Sequence, residues 1–100
     1  MSEDDMSSRE SSIETLEETH SFPCPYQFKI IGANNEEFIA EVVQVGVNVV
    51  GSEAEPEVST RESSGGKYVS VSMEMWVEDA ETILDVYERV RTIDEVKMVL

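Results

Sequence analysis

The chain has 100 residues, with 22 acids set against seven Lys and Arg, for a formal net charge of −15. Its own field keeps so acidic a molecule from non-specific contact with nucleic acid or anionic lipid. The length provides for one small core, and a single cysteine excludes an internal disulfide, which fits a reducing, cytoplasmic setting.

Residues 1–20 hold seven acids and one base, Arg9, with many hydroxyl side chains and few apolar ones. Such a segment cannot bury enough surface to offset its ordering entropy, so the expectation is an acidic, largely disordered tail. Ser12 ahead of Ile13 and Leu16 would cap one nascent helical turn, and an isolated helix so short is marginal in water. The tail has no apolar stretch behind it and does not read as a secretory signal. The folded domain is expected over 21–100, which keeps fifteen acids and six bases.

Phe22-Pro-Cys-Pro25 opens that domain. Cys24, held extended between two prolines and without a His, Cys or basic cluster nearby in sequence, reads as structural and not as a reactive thiol. Tyr26 to Ile31 alternates, with Tyr26, Phe28 and Ile30 on one face and Gln27, Lys29 and Ile31 on the other, which predicts the first strand. Gly32 ends it. Asn34 or Asn35 then caps a helix over about 35–50, whose first turn carries Glu36 and Glu37 where the dipole favours negative charge. Val43, Val45, Val47 and Val49 spell a strand locally. Phe38, Val42, Val45 and Val49 also fall at helical spacing, with Ile39, Val43 and Val50 beside them, and Gly51 supplies a stop. Helix is the better reading. The run is interrupted by Gln44, Gly46 and Asn48 and is too short to cross a bilayer.

Residues 53–56 form a connector, Glu57 to Glu62 a short polar edge strand, and Ser63 to Gly66 a hairpin loop. The most regular segment follows. From Lys67 to Val77 a period of two puts Val69, Val71, Met73, Met75 and Val77 on one face and Tyr68, Ser70, Ser72, Glu74 and Trp76 on the other. A second helix runs from the cap Asp79 to about Thr92, with a buried stripe of Ala80, Ile83, Tyr87 and Val90 flanked by Leu84 and Val86. Glu95 to Leu100 is the last strand, with Val96, Met98 and Leu100 inward and Lys97 and Val99 outward.

The order βαββαβ, with one-sided burial and right-handed crossovers, predicts an α+β, ferredoxin-like sandwich. Two helices cover one face of a four-stranded antiparallel sheet whose first and third strands are central.

Phe22-Pro23, Phe28-Lys29 with Gly32, Ser63-Ser-Gly-Gly-Lys-Tyr68, Ser70-Val-Ser72, Tyr87 and the closing Val96-Lys-Met-Val-Leu100 together resemble the YbeD-like family of small bacterial proteins. The likeness covers roughly residues 22–100. It implies a ferredoxin-like fold similar to ACT regulatory domains, and it brings no catalytic residues with it.

The residues point to binding rather than to catalysis. The lone His20 lies in the tail, so no Ser–His or Cys–His arrangement can be built on it. The acids are scattered over solvent faces, with no pair spaced for acid–base chemistry. Neither a calcium loop nor a zinc cluster is present, and no cofactor is expected. Ser63 to Lys67 has Gly and Lys but leads into a strand, so a hairpin loop is preferred to a phosphate cradle. The candidate site is the open sheet face, where Lys29, Arg61 and Lys97 share a surface with Tyr68, Ser70, Ser72 and Trp76. It would dock an acidic protein partner or support self-association. A solvated face needs polar residues in any case. RNA binding, which the same face serves in other domains of this shape, is disfavoured, because the first strand offers Gln27 and Lys29 where a stacking ring is wanted. The alternative is a sensor of an amino acid or related metabolite, held at the turn Gly32, Ala33 and Asn34, where glycine and a helix N-terminus admit an anion. Glu36 and Glu37 oppose it.

Overall fold

The computed structural model describes residues 2–51 and 55–100, which leaves the first half of the expected connector over 53–56 outside the described residues. The elements are α1 (Ser2–Thr19), β1 (Cys24–Ala33), α2 (Glu36–Val50), β2 (Glu57–Glu62), β3 (Tyr68–Val77), α3 (Ala80–Val90) and β4 (Val96–Val99). The chain is thus α+β, with three helices and one four-stranded antiparallel sheet in the spatial order β2-β3-β1-β4.

Alternation along β1 and β3 divides the sheet into a dry side and a wet one. Phe28, Ile30, Val69, Val71, Met73, Met75 and Val77 are buried, while Gln27, Lys29, Glu74 and Trp76 between them are exposed. Phe38 and Val42 of α2 and Ile83, Val86 and Val90 of α3 close over the dry side and complete the core. Burying each such side chain contributes roughly 1.5–3 kcal/mol. On α3 the stripe is rotated from the expected one: Val86 is fully buried, and Tyr87 sits at its margin. The reason is polar. The Tyr87 hydroxyl donates to the Leu100 main-chain oxygen at 3.2 Å and lies within hydrogen-bond distance, 3.0 Å, of the Tyr26 hydroxyl. Burial, with Tyr26 beside it, pushes the Tyr87 hydroxyl well above the ordinary tyrosine value. Edge-to-face contacts run on from Phe28 to Tyr26 and to His20 at 5.0 and 5.3 Å.

Local chemistry fixes the helix ends. Asn35 is the α2 cap, its side-chain oxygen accepting from Phe38 N–H at 2.7 Å. Asp79 caps α3 by accepting from both the N–H and the hydroxyl of Thr82, at 2.9 and 2.8 Å. Gly46, mid-helix in α2, is buried where a Cβ would stand 2.8 Å from the Met73 sulfur, so glycine brings α2 close to β3.

Two regions differ from the sequence reading. Residues 2–19, within the segment read as an acidic tail, form helix α1. Arg9 ties α1 to α3 through Glu88 at 2.8 Å and Asp85 at 3.0 Å, and Leu16 packs against the core. An isolated helix of this composition is marginal, and docking is what offsets its ordering cost. In β4 the inward set is different from the one alternation gives. Val96 pairs with Gly32, Met98 with Ile31 and Val99 with Ile30, so Lys97 is an extra residue in a bulge. The bulge shifts the register by one. Val96 and Val99 therefore pack on the core, whereas Met98 and Leu100 are 52% and 55% exposed.

Two substitution pairs test this architecture. A Cβ at Gly32 would run into the Phe38 ring and lie 2.6 Å from the Glu95 carbonyl oxygen, whereas one at Gly65 would meet nothing within 4 Å. Gly32→Ala is expected to cost about 1–3 kcal/mol by denaturant unfolding, and Gly65→Ala to stay within about 0.5 kcal/mol. For the bulge, Met98→Lys should leave the melting temperature nearly unchanged, while Val99→Lys should lower it sharply. The reverse order, with Met98→Lys destabilising and Val99→Lys tolerated, would mean that β4 continues without the bulge.

Candidate functional site

The register of the ladders sets out the wet face row by row. Arg61 of β2 stands opposite Ser70 of β3, Ser70 opposite Ile31 of β1, and Ile31 opposite Met98 of β4. One step along, Ser59, Ser72 and Lys29 form the next row. The third row is Glu57, Glu74 and Gln27. Directly opposed residues point to the same side of a sheet, so each row is one strip of surface. Tyr68, at the start of β3 opposite Ala33, borders the first row, and Trp76, opposite Pro25, lies beyond the third.

The face is therefore polarised. Lys29, Arg61, Tyr68, Ser70 and Lys97 lie together at one end. Trp76 does not join them: six residues along β3 from Ser70, it is about 20 Å away. It is 51% exposed at the end that carries Glu57 and Glu74. Those two carboxylates stand opposite each other, and Glu74 faces neither Lys29 nor Arg61.

Three residues at the basic end escaped the sequence reading. The Lys67 ammonium sits 5.5 Å from the centre of the Tyr68 ring, and that of Lys97 sits 5.6 Å from it. Each contact contributes about 0.5–1 kcal/mol at an exposed site and holds a mobile charge in place. Lys67 was legible only as the residue ahead of the strand; knowledge of the ring's position was needed to place it. Ile31 and Met98 form the apolar floor between the cations, and Met98 reaches this side only because of the bulge. A shallow depression of about 240 Å³ opens here, lined by Lys29, Ile31, Arg61, Glu62, Tyr68 and Ser70. Among the described residues the ion pairs are those of Arg9, so the Lys29, Arg61, Lys67 and Lys97 charges face solvent without an acidic partner at bonding distance.

The turn after β1 presents a different surface. Gly32 is buried under Phe38, Ala33 N–H donates to the Glu95 carbonyl at 3.2 Å, and Asn34 N–H donates to the Lys67 carbonyl at 3.2 Å. The Asn34 side chain donates to the Gly66 carbonyl at 2.9 Å, and Asn35 N–H donates to the Ala33 carbonyl at 2.9 Å. The donors of Ala33 and Asn34 are spent in joining the β1–α2 turn to the hairpin loop and to the approach to β4. Cys24, a free thiol, is half-buried at the start of β1. Among the described residues no helix is long and apolar enough to cross a membrane, and no three His, Cys, Asp or Glu side chains are grouped to hold a metal ion.

A one-sided antiparallel sheet backed by helices, with its bare face charged at one end, defines the class: a small α+β domain. The chain belongs to the family described as "Protein of unknown function (DUF493)", whose model matches residues 17–100. This agrees with the YbeD-like resemblance of the short motifs. A UPF0250 protein of Sodalis glossinidius is 35% identical over 85 residues, covering 85% of this chain and 95% of its own length. One from Pasteurella multocida is likewise 35% identical over 85 residues, covering 85% of this chain and 94% of its own length. Among solved structures, protein HP0495 of Helicobacter pylori superposes with a TM-score of 0.63 at 14% identity, covering 81% of this chain and 85% of that one. The ACT domain of a Chlorobium tepidum GTP pyrophosphokinase gives 0.55 at 10% identity, covering 76% and 94%. At such identities the likeness concerns the fold alone.

The Tyr68 contacts are open to direct measurement. In proton–carbon spectra the ε-methylene resonances of Lys67 and Lys97 should be displaced by the Tyr68 ring current. They should return toward free-lysine positions in Tyr68→Leu. Resonances that do not move on substitution would place the ammonium groups elsewhere.

Proposed function

We propose that the protein is a cytoplasmic, non-enzymatic binding module, regulatory or adaptor in role, that engages a protein partner through the open sheet face. One observation carries this reading. Four of the six basic residues in 21–100 border one end of a bare sheet face, on a molecule with a net charge of −15. Charge of one sign gathered on a surface of the other steers a complementary partner and fixes its orientation. The β2 edge gives a second means of attachment. All six residues from Glu57 to Glu62 are exposed, and among the described residues β2 has a neighbour only on its β3 side, so an extended segment has a free edge on which to pair.

The sensor reading has less behind it. The ACT domain that this chain resembles in fold belongs to a different protein at 10% identity. At the Gly32–Asn34 turn, the N–H groups of Ala33 and Asn34 that would receive a carboxylate are already bonded within the chain.

Charge reversal tests the proposal. Immobilised wild-type protein should recover a specific partner from a bacterial lysate, and Lys29→Glu/Lys97→Glu should lose it. Thermal unfolding of the variant should remain nearly unaltered, because surface changes of this kind stay within about 0.5 kcal/mol. Capture by the variant equal to that by the wild type removes the open face from the account. A melting temperature raised by an amino acid or related metabolite would favour the sensor instead.

A further inference from the structure

We infer that the basic end of the open face is a receptor for an acidic peptide segment in which an apolar side chain is flanked by carboxylates. This rests on the open-face reading above and adds the chemistry of the partner.

The surface has an apolar centre and a cationic border. Ile31 and Met98 are neighbours across β1 and β4, and Met98 is 52% exposed. Around them stand Arg61 on β2, Lys29 on β1 and Lys97 in the β4 bulge, with Lys67 at the entry to β3. Strands are spaced about 4.8 Å apart, so the row from Arg61 to Met98 is about 14 Å wide. That is the reach of a few residues of extended peptide, each covering about 3.3 Å. A peptide laid along this row would bury one apolar side chain on the Ile31–Met98 floor and place its acids within reach of the flanking cations. Arg61 suits a carboxylate by its planar fork, and the serine hydroxyls of Ser59, Ser70 and Ser72 leave donors between the charges.

The same geometry decides against the other polyanion of the cell. A single-stranded nucleic acid needs an open aromatic face on which to stack a base. Tyr68 is the aromatic ring at this end, and it already has two ammonium groups over it at 5.5 and 5.6 Å. The other exposed ring, Trp76, lies at the end that carries Glu57 and Glu74. A chain of phosphates would run from the cations into those carboxylates and into the field of the remaining acids. A short peptide with a few acids ends before it reaches them.

The test uses the full chain and a displayed random-peptide library, with a pool of single-stranded oligonucleotides as competitor. Enriched peptides should combine Asp or Glu with one aromatic or aliphatic residue. Their dissociation constants should rise with salt, and Asn and Gln replacements of their acids should weaken binding at least tenfold. Lys29→Glu/Arg61→Glu should weaken it as much, and Met98→Glu, which attacks the floor without touching a cation, should do so too. Unchanged thermal unfolding of each variant separates loss of the site from loss of the fold. Enrichment of neutral or basic peptides, no enrichment at all, or preferential binding of the oligonucleotides would overturn the inference. If enriched peptides are neutral yet their binding is lost in Met98→Glu, the open-face reading survives and the proposed partner chemistry fails. If enriched peptides bind both variants and the wild type alike, both fail.

Discussion

β3 lies between β2 and β1, and its strict alternation decides which side of the sheet is dry. Val69, Val71, Met73, Met75 and Val77 are each at most 2% exposed, and every residue between them faces the other way. Because side chains repeat every two residues, a shift of one position would turn five apolar groups into water and bring Ser70, Ser72 and Glu74 into the core. No polar side chain is buried among the described residues, so the dry side has nothing to offset such an intrusion. The positions of α2 and α3, the bare surface opposite and the row order of that surface all follow from this one register.

The electrostatics follow from the same division. Acids are spread over the three helices and, as Glu57 and Glu74, over the far end of the bare side, while the basic residues of the strands stand at its other end. Arg9 is the cation that the fold itself uses. It bridges Asp85 and Glu88 and pins α1 to α3. Its guanidinium is held above the ordinary arginine value, first by the hydrogen bond to Asp85. Lys29 and Arg61 have no comparable contact among the described residues, and Lys67 and Lys97 rest on a ring that leaves their charges unneutralised. Cations that make no ion pair among the described residues are the part of this surface that plain solubility does not account for, since a protein at −15 is already far from neutral.

How far the sequence went depends on the range of the interaction concerned. The α+β class, the antiparallel strands and the Asn35 and Asp79 caps are local matters of period and of side chain to nearby backbone, and they were legible. So were the outward positions of Lys29, Arg61 and Lys97. What could not be read depends on partners distant in the chain. The β4 bulge exists only against β1, and it brings Met98 out and Val99 in. Val86 takes the buried position expected of Tyr87 because Tyr87 has Tyr26 and Leu100 to bond. Helix α1 has too little apolar surface to be expected alone, and its ties are to residues 76 and 79 positions away. Composition also misled in one respect: Trp76 and Tyr68 share a face by parity, yet the length of β3 keeps them apart.

The contrast between the two candidate regions turns on what their polar groups already touch. At the Gly32–Asn34 turn three segments of chain meet, and the donors of Ala33 and Asn34 hold them together. A ligand that bonded to the Ala33 or Asn34 N–H would have to displace an internal hydrogen bond, each contributing about 0.5–1.5 kcal/mol net. Gly32, moreover, is glycine because Phe38 and the Glu95 carbonyl occupy the space beside it, so the close approach that glycine permits is taken up by the protein itself. At the basic end of the open face the balance is reversed. Its charged groups face solvent and its apolar floor is partly exposed, so occupying it would break no contact on which the fold depends.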